Sequence, residues 1–282
     1  MVSSKKPTRR ALQLAGLLCL AAPGLAFSMP DGDGWRVQCD TNRTAPDDPI
    51  VFPGKPGLSH LHVFLGARGV NARTTTKSLL AGGTTCTDRG DRSAYWTPQL
   101  YLNGKAQRLS QSTLIYYRTR NDPAKIKSFP VGIRVVAGNA HTTTTQSDQV
   151  IDWGCNTDST LTGKTAPVEC GGGSYLMSHV YFPDCWDGRR KDSPDHHSHM
   201  AYSIPGGPGG WNYCPRTHPV ALPALRLKLT WPDVHTAQGV TLASGPNMTM
   251  HADFWNGWNP ARMTELVKKC VAPQADCGVV GG

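Results

Sequence analysis

The stretch "ALRLKLTW", residues 224–231, is one of seven short apolar runs that decide the fold class. These runs are rich in Val, Ile, Tyr and Leu and are separated by turn residues, which is typical of β-strands. The other six are "LHVFLG" (61–66), "PQLYLNG" (98–104), "STLIYYRT" (112–119), "VGIRVVAG" (131–138), "SHVYF" (178–182) and "VTLAS" (240–244). Many short strands with little helix predict an all-β fold, an antiparallel β-sandwich or jelly roll with long loops.

Two local signals refine this prediction. Asn103-Gly104 directly follows the run "QLYL" and is a good turn signal. Only "NPARMTELVKKC", residues 259–270, has convincing helix features. Asn259 can act as the N-cap, Pro260 suits the first helical position, and two lysines favour the C-terminal end. The sequence therefore predicts one short helix near the C-terminus.

Residues 1–28 are predicted to be an export signal. "KKPTRR" supplies a positive region, and "ALQLAGLLCLAA" supplies an apolar run too short to span a bilayer. Ala26 and Ser28 are small enough to precede a cleavage site near Met29. "TRRALQ" also resembles a twin-arginine export signal, so the export route stays open between the two types. Residues 29–282 are expected to form a single secreted domain with no further membrane segment.

Cysteine usage supports export to an oxidising compartment. Cys19 lies in the predicted signal, and the eight remaining cysteines allow four disulfides. Short loops favour the pairs Cys270–Cys277 and Cys155–Cys170, and Cys39–Cys86 and Cys185–Cys214 then follow. Four disulfides fit poorly with export of an already folded chain, and that conflict is left open.

The net charge argues against a nucleic-acid partner. Residues 1–28 hold four Lys/Arg and no acid, so the formal charge falls from +9 to +5 when they are removed. The remaining excess is scattered and forms no Lys/Arg stripe, as a nucleic-acid surface would. A weakly anionic polymer or wall surface remains compatible with this charge.

Histidines occur in short motifs that suggest a shared pocket. His60 and His62 in "HLH" are two residues apart, so on a strand their side chains leave the same face. His251 and Asp253 in "HADFW" stand in the same relation. "DSPDHHSHMAYS", residues 192–203, places His197 and His199 on one face of a strand, or His196 and His199 together across a turn.

These motifs predict a metal or acid–base site. Imidazole nitrogen and carboxylate oxygen are the usual ligands of zinc and copper, which are the expected divalent ions. Each motif alone also fits a hydrogen-bonded histidine in a strand or a solvated polar loop, and only their co-occurrence favours a pocket. The candidate metal ligands are His60, His62, His199, His218 and His251.

Carboxylates give candidate catalytic groups. The chain has eighteen Asp and two Glu, so a carboxylate mechanism would depend on aspartates. Each candidate has an alternative structural role in a turn, in a cap or in orienting a histidine. The candidate catalytic residues are Asp187, Asp192, Asp195, His196, His199 and Asp253.

Aromatic residues give candidate sugar-binding positions. Exposed Trp faces stack on sugar rings, and Asn side chains bond to hydroxyl groups, although buried Trp is also common in β-sandwiches. "WNGWN" is the expected platform. The candidate substrate-binding residues are Trp186, Trp255, Asn256 and Trp258.

Several motifs together resemble DUF1996, a family of domains of unknown function. They are "DPIVFPGKPGLSHLHVFLG", "SHVYFPDCWDG", "DSPDHHSHMAYS", "CPRTHPVALPAL" and "HADFWNGW", and they extend from about Arg36 to Trp258. Members resemble secreted fungal and bacterial proteins, some joined to wall-associated carbohydrate-binding modules. The resemblance implies no activity, but it implies which residues belong to the shared pattern. The middle histidine, His197, falls outside that pattern and is implied to be a bystander.

We expect a secreted glycan-directed enzyme, a hydrolase or lyase acting on polysaccharide through a His/Asp pocket with a divalent metal. Without a metal, Asp192 or Asp195 would act with a histidine as an acid–base pair. The first alternative is a non-catalytic wall-binding protein that recognises sugar through Trp and Asn. The second is a disulfide-stapled envelope or matrix protein without a small ligand.

Overall fold

The chain is built mostly of short antiparallel strands. The computed structural model describes Met1 and residues 34–281, apart from the side chain of Ser159, and the described residues from 34 onward belong to one compact unit. The strands within these residues are β1 Gly34–Ala45, β2 His62–Gly66, β3 Ala94–Pro98, β4 Leu100–Leu102, β5 Lys105–Ala106, β6 Ser112–Arg118, β7 Arg134–Gly138, β8 Ile151–Cys155, β9 Leu176–Tyr181, β10 Cys185–Trp186, β11 Met200–Ala201, β12 Val220–Ala221, β13 Ala224–Trp231, β14 Val240–Leu242, β15 Gly245–Pro246, β16 His251–Trp255 and β17 Asp276–Val279. The all-β prediction is confirmed.

Helices are few and short. The two α-helices are α1 Thr76–Ala81 and α2 Pro260–Leu266, and α2 continues into a π-helical segment, Val267–Val271. Four 3₁₀ segments are also present, at Pro123–Lys125, Ser159–Leu161, Pro208–Gly210 and Asn247–Thr249. The predicted C-terminal helix is confirmed in its cap as well as its position, because the Asn259 side chain accepts a hydrogen bond from the Arg262 backbone N–H.

One long strand joins the two halves of the main sheet. The strand order is β7-β16-β3-β2-β1-β6-β13-β9-β8, and β17 adds to β1 in parallel. β1 pairs with β6 from Trp35 to Asp40 and then with β2 from Thr41 to Ala45. A register shift between Thr41 and Arg43 marks the change of partner. Such an irregularity bends a strand, which lets β1 pass from one half of the sheet to the other.

The inner faces of the two halves enclose an aromatic core. Trp35 of β1 stacks on Tyr117 of β6 with ring centroids 4.8 Å apart, and Trp258 packs edge-on against both rings. Phe254 of β16 contacts Phe182, the residue after β9, at 6.3 Å between centroids. All five side chains are 1% exposed or less. The two halves therefore form a sandwich around this cluster.

A second, smaller core lies on the outer face of the half that contains β2, β3, β7 and β16. Side chains alternate along a strand, so the residues between those of the main core point to the opposite face. Phe64, Trp96 and Trp255 are on that face and are fully buried. Ile50 from the loop before β2 and Leu79 of α1 cover them in the same cluster. This covered outer face is also where the candidate site lies.

All four predicted disulfides are present. They join Cys39 to Cys86, Cys155 to Cys170, Cys185 to Cys214, and Cys270 to Cys277. Within the described residues, no helix is sufficiently long and apolar to cross a membrane. The predicted signal at residues 1–28 lies outside the described residues apart from Met1, and the boundary at residue 29 stays a prediction.

The predicted strands are largely confirmed, with several differences. β13 covers residues 224–231 as expected, and Asn103 and Gly104 both have positive φ in the turn between β4 and β5. The run at 98–104 is divided, because β3 ends at Pro98 and β4 begins at Leu100. β1 was not among the seven predicted runs, since polar residues such as Gln38 and Asp40 interrupt its apolar character.

A buried polar network crosses the aromatic core. The Tyr95 hydroxyl donates to an Asp91 carboxyl oxygen at 2.7 Å and lies 2.5 Å from the Tyr117 hydroxyl oxygen. The Trp258 indole N–H donates to the same Tyr117 oxygen at 2.9 Å. Burial raises the pKa of Asp91 to about 7, despite hydrogen bonds from Ser93 and Tyr95 that favour the ionised form. The carboxyl thus joins the two halves of the sandwich mainly as a neutral acid below that pH.

The substitution Asp91→Asn tests this network. A carboxyl whose pKa is higher in the folded than in the unfolded state stabilises the fold fully below about pH 4, and that contribution is lost as pH rises through about 7. Asn resembles the protonated acid and does not titrate. We expect the unfolding free energy of the wild type to fall relative to that of Asp91→Asn between pH 4 and 7, by at most about 1.4 kcal/mol per pH unit.

Urea unfolding at a series of pH values measures this difference. Asp233→Asn, at a carboxyl with a 62% exposed side chain, is the matched control and should run parallel to the wild type. If the difference in unfolding free energy between wild type and Asp91→Asn does not change with pH, the raised pKa of Asp91 is contradicted.

Candidate functional site

The outer face of β2 and β16 carries the predicted histidines. His62 begins β2, and its alternation places it on the same face as Phe64. His251 and Asp253 alternate in the same way along β16 and are 3% and 1% exposed. Gly138 of β7 pairs with His251, where a Cβ atom would lie only 2.6 Å from the Met250 carbonyl oxygen. Glycine therefore permits the close strand approach beside the site.

Backbone carbonyls fix the tautomers of two histidines. His62 Nδ1 lies 3.0 Å from the Asp47 carbonyl oxygen, and His251 Nδ1 lies 2.8 Å from the Thr249 carbonyl oxygen. A carbonyl oxygen only accepts, so each Nδ1 must carry the proton and each neutral Nε2 exposes a lone pair. The two Nε2 atoms are 3.3 Å apart. Neither neutral ring has a proton to share at this contact, so its geometry suits a cation between the rings.

His60 completes a cluster of three imidazoles. Its Nε2 lies 3.1 Å from His251 Nε2, and its ring centroid lies 4.3 Å from that of His62. Burial and the nearby His141 lower the pKa of His60 to about 4, and burial lowers the pKa of His251 to about 3. Burial and the two neighbouring imidazoles hold the pKa of His62 well below its usual value. At neutral pH all three rings are therefore neutral.

Two buried carboxyls lie next to His62. Asp253 has no hydrogen-bond partner on either oxygen among the described residues. Burial, with the adjacent Asp48, raises its pKa well above the usual range. Burial also raises the pKa of Asp48, even though the Ile50 and Val51 N–H groups donate to it. A buried carboxyl without a partner is costly unless it is protonated or bound to a cation.

These side chains form two overlapping groups that could hold a metal ion. The ligand atoms of His60, His62 and His251 lie within 4.8 Å of one another, as do those of Asp48, His62 and Asp253. The two groups have His62 in common. Two nitrogens bound tetrahedrally to one zinc ion at about 2.0–2.1 Å would be about 3.3 Å apart, as His62 and His251 are. A third group contains Cys39 and Cys86, whose disulfide excludes them as thiolate ligands.

A histidine–aspartate pair lies beside this cluster. Asp192 accepts a hydrogen bond from Arg134 at 2.9 Å on one oxygen, and its other oxygen lies 2.9 Å from His196 Nδ1. His196 has φ +57°, a left-handed backbone conformation that is uncommon for residues other than glycine. The His196 imidazole also works against the effect of burial on the pKa of Asp48. Arg134 in turn lies over the Trp255 ring, 4.2 Å from its centroid.

The other two candidate aspartates stabilise turns. Asp195 accepts hydrogen bonds from the Ser193 hydroxyl and from the His197 and Ser198 N–H groups, and these hold its pKa well below the usual value. Burial alone would raise the pKa of Asp187, but hydrogen bonds from Arg190 and from the Arg189 N–H lower it. Both carboxylates are satisfied within their own loop, and the structure does not bring them to the histidine cluster.

His199 and His218 lie apart from the three clustered histidines. His199 is fully buried, with Nε2 2.6 Å from the Arg134 carbonyl oxygen and Nδ1 2.9 Å from the Ser193 hydroxyl. His218 Nε2 lies 3.2 Å from the Ser198 carbonyl oxygen. Both nitrogens of His199 therefore have protein partners, and neither residue joins the groups that could hold a metal ion.

The predicted sugar platform is mostly interior. Trp255, Asn256 and Trp258 are all 0% exposed, and the Asn256 amide donates to the Phe129 and Pro130 carbonyls. A sugar ring cannot stack on a fully buried indole, so "WNGWN" supplies packing in this fold and not an open platform. Trp186 is the one member of the predicted set with a partly exposed side chain.

An open pocket of about 250 Å³ borders the candidate centre. Gly138, the strand partner of His251, lines it together with Asn139, His197 and Tyr202. The charges of His141 and His197 also lower the pKa of His251. His197, which the family resemblance implied to be a bystander, thus lines this neighbouring pocket. The sequence did not predict a role at the site for Asp48, His141 or Arg134. Of these, only Asp48 lies in a quoted motif, as the first residue of "DPIVFPG".

The family described as "Domain of unknown function (DUF1996)" matches residues 48–258. This range contains every side chain of the candidate centre, from Asp48 to Asp253. No curated protein and no solved structure matches the chain.

The substitution His199→Ala tests the structural role of that residue. It would leave the Arg134 carbonyl and the Ser193 hydroxyl without their buried partner. We expect a loss of about 1–3 kcal/mol in unfolding free energy, measured by chemical denaturation. His218→Ala, at a partly exposed histidine, should change it by less than about 0.5 kcal/mol. Equal losses in the two variants would show that His199 is not a structural anchor.

Proposed function

The chain belongs to the DUF1996 family, whose description assigns no activity, and we propose from the site that it is a metal-dependent hydrolase or lyase acting on polysaccharide. The ion would be held by His60, His62 and His251, with Asp253 as a carboxylate ligand and Asp48 beside it. Zinc and copper suit this set of nitrogen and oxygen donors best.

The contact between His62 and His251 carries the metal assignment. Two imidazoles whose Nδ1–H groups bond to backbone carbonyls direct bare Nε2 lone pairs at each other over 3.3 Å. Hydrogen bonds of this kind are the usual outer support of metal-binding histidines. The unpartnered Asp253 carboxyl supplies the negative charge that a buried divalent ion requires. These features favour a bound ion over a sheet face that is buried without one.

The His196–Asp192 pair supplies acid–base chemistry. Asp192 orients His196 through Nδ1, as a carboxylate orients the histidine of a catalytic triad. Among the described residues, Nε2 of His196 has no hydrogen-bond partner in the protein, so it can take or give a proton at the substrate. Arg134 fixes Asp192 from the other side at 2.9 Å. The charge of His196 in this position also favours ionisation of Asp48.

A bound divalent ion would supply Lewis acidity and lower the pKa of water at the centre. The protein contributes position and shielding. His62, His251 and Asp253 are buried, whereas His60 is only partly buried and marks the side from which substrate would approach. His197 lines the pocket beside His251, where its imidazole would contact a polar substrate.

The substrate class and location rest on separate observations. Four disulfides fit a protein of an oxidising compartment, which supports secretion. The pocket beside the centre is open and carries amide, hydroxyl and imidazole groups that can bond to sugar hydroxyls. Trp186, partly exposed, remains available to contact a sugar ring.

A structural metal site is the second candidate function. Asp48, His62, His251 and Asp253 are each 4% exposed or less, which is typical of a closed site whose ion stabilises the fold. In that case the protein would bind its partner without catalysis. Loss of the ion would then lower the free energy of unfolding, and no turnover would be seen with or without the ion.

Metal analysis of the full chain with a polysaccharide panel tests the proposal. We expect about one zinc or copper ion per chain and release of reducing ends or unsaturated sugars from at least one polymer. His62→Ala and His251→Ala should each lose the ion, because each removes a first ligand, and should reduce turnover by at least about 100-fold. His218→Ala is the matched histidine control and should keep both properties.

His196→Ala separates catalysis from metal binding. It should retain the ion yet lose turnover by about 10²–10⁴-fold, since general acid–base catalysis contributes on that scale. A protein that binds the ion but releases no product from any polymer would support the structural candidate. A purified, folded protein with neither ion nor product would overturn both.

A further inference from the structure

A second pocket lies next to the loop that carries His196, His197 and His199. It has a volume of about 500 Å³ and is lined by Asp187, Arg189, Arg190, Arg216, Thr217 and Pro219. Three arginines and one aspartate face it, so the charge of its lining is strongly positive. We call this pocket the arginine cleft.

Two short strands and a disulfide hold the cleft in shape. β10 pairs with β12 through Cys185 with Ala221 and Trp186 with Val220. The segment that follows β10 carries Arg189 and Arg190, and the segment that precedes β12 carries Arg216. Cys185 is also bonded to Cys214, two residues before Arg216. The two walls of the cleft are therefore tied together by both backbone pairing and a covalent link.

Only one of the three arginines is neutralised within the protein. Asp187 accepts the Arg190 Nε–H at 2.7 Å and the backbone N–H groups of Arg189 and Arg190 at 2.8 and 2.9 Å. Arg190 donates further to the Ser198 carbonyl oxygen at 2.7 Å. Among the described residues, the guanidinium groups of Arg189 and Arg216 have no partner, and both residues are exposed. Two free cations thus face solvent across a rigid pocket.

The cleft and the candidate centre share a wall. Ser198 accepts hydrogen bonds from Arg190 and from His218 on the cleft side. The preceding residue, His197, lines the pocket beside His251. Arg190, which lines the cleft, is therefore bonded to the residue that follows His197 in the chain. A polymer bound in the cleft can therefore extend towards the centre.

We propose that the arginine cleft binds the carboxylate of an acidic sugar unit, so that the substrate is a uronate-containing polysaccharide. That the substrate is a glycan rests on the proposed function. Guanidinium groups suit carboxylates because their planar N–H donors match the two oxygens. The Trp186 indole donates to the Arg190 carbonyl at 2.6 Å, which sets a partly exposed aromatic ring next to the arginines.

A sugar acid fits this surface better than a nucleic acid. Arg189 and Arg216 line one cleft and do not by themselves form a stripe that could follow a phosphate backbone. An aromatic side chain beside two guanidinium groups can contact one ring and its carboxylate together. The cleft therefore selects a single acidic unit within a chain.

Binding measurements on catalytically disabled full-length protein test the proposal without depending on turnover. Titration calorimetry would compare oligogalacturonate with its fully methyl-esterified form, using His196→Ala so that no product forms. We expect the acidic form to bind at least about tenfold more tightly, because esterification removes the charge that the arginines recognise. Arg189→Ala combined with Arg216→Ala should abolish that preference and leave metal content unchanged.

Arg108→Ala is the matched control, since its side chain is 72% exposed and lies outside the cleft. It should bind like the parent. Equal binding of the acidic and esterified forms would overturn the proposal, as would equal binding of single-stranded DNA of the same charge. Loss of preference in Arg108→Ala would also overturn it. Preference for the acidic form without any turnover in the wild type would support the cleft while failing the proposed enzyme, so the two failures are distinguishable.

Discussion

The burial of acids and imidazoles on one face of a β-sheet is the constraint on which the candidate site depends. Asp253 has two unpartnered oxygens beside Asp48, and His62 and His251 direct bare nitrogens at each other. Each of these features is unfavourable by itself, because water no longer solvates the groups. They form two groups that share His62, and each group could hold a divalent cation that would satisfy its donors.

The surrounding fold holds that arrangement rigidly. Backbone carbonyls of Asp47 and Thr249 fix the rings of His62 and His251, and the close approach of β7 at Gly138 leaves little freedom beside them. On the outside, Arg134 bonds to Asp192 and lies over Trp255, which connects the histidine loop to the sheet. The segment just before that loop carries Asp187, Arg189 and Arg190, which line the arginine cleft. The histidine–aspartate pair and two of the cleft arginines thus lie on one short segment of the chain.

The candidate metal centre was predictable in part. Two-residue spacing places two side chains on a common face of any strand. It identified His60 and His62 in "HLH", and His251 with Asp253 in "HAD", as candidate ligands. The spacing could not predict that both ring nitrogens of His199 would bond to Arg134 and Ser193. Nor could it predict that His218 would lie apart from the three clustered histidines. Asp48 carries no local signal of a ligand. It reaches the site only because the loop before β2 covers the outer face.

By itself the sequence determined the strand-rich class, the capped C-terminal helix, the turn at Asn103-Gly104 and the four disulfides. Those features depend on residues close together in the chain, or on a small number of cysteines with few favourable pairings. Only the tertiary structure decided which histidines meet and which tryptophans are buried. The face of a strand is set locally, but what covers that face is set by segments far away in the chain. For that reason Trp258 lies in the core, and His197 lines the pocket beside His251.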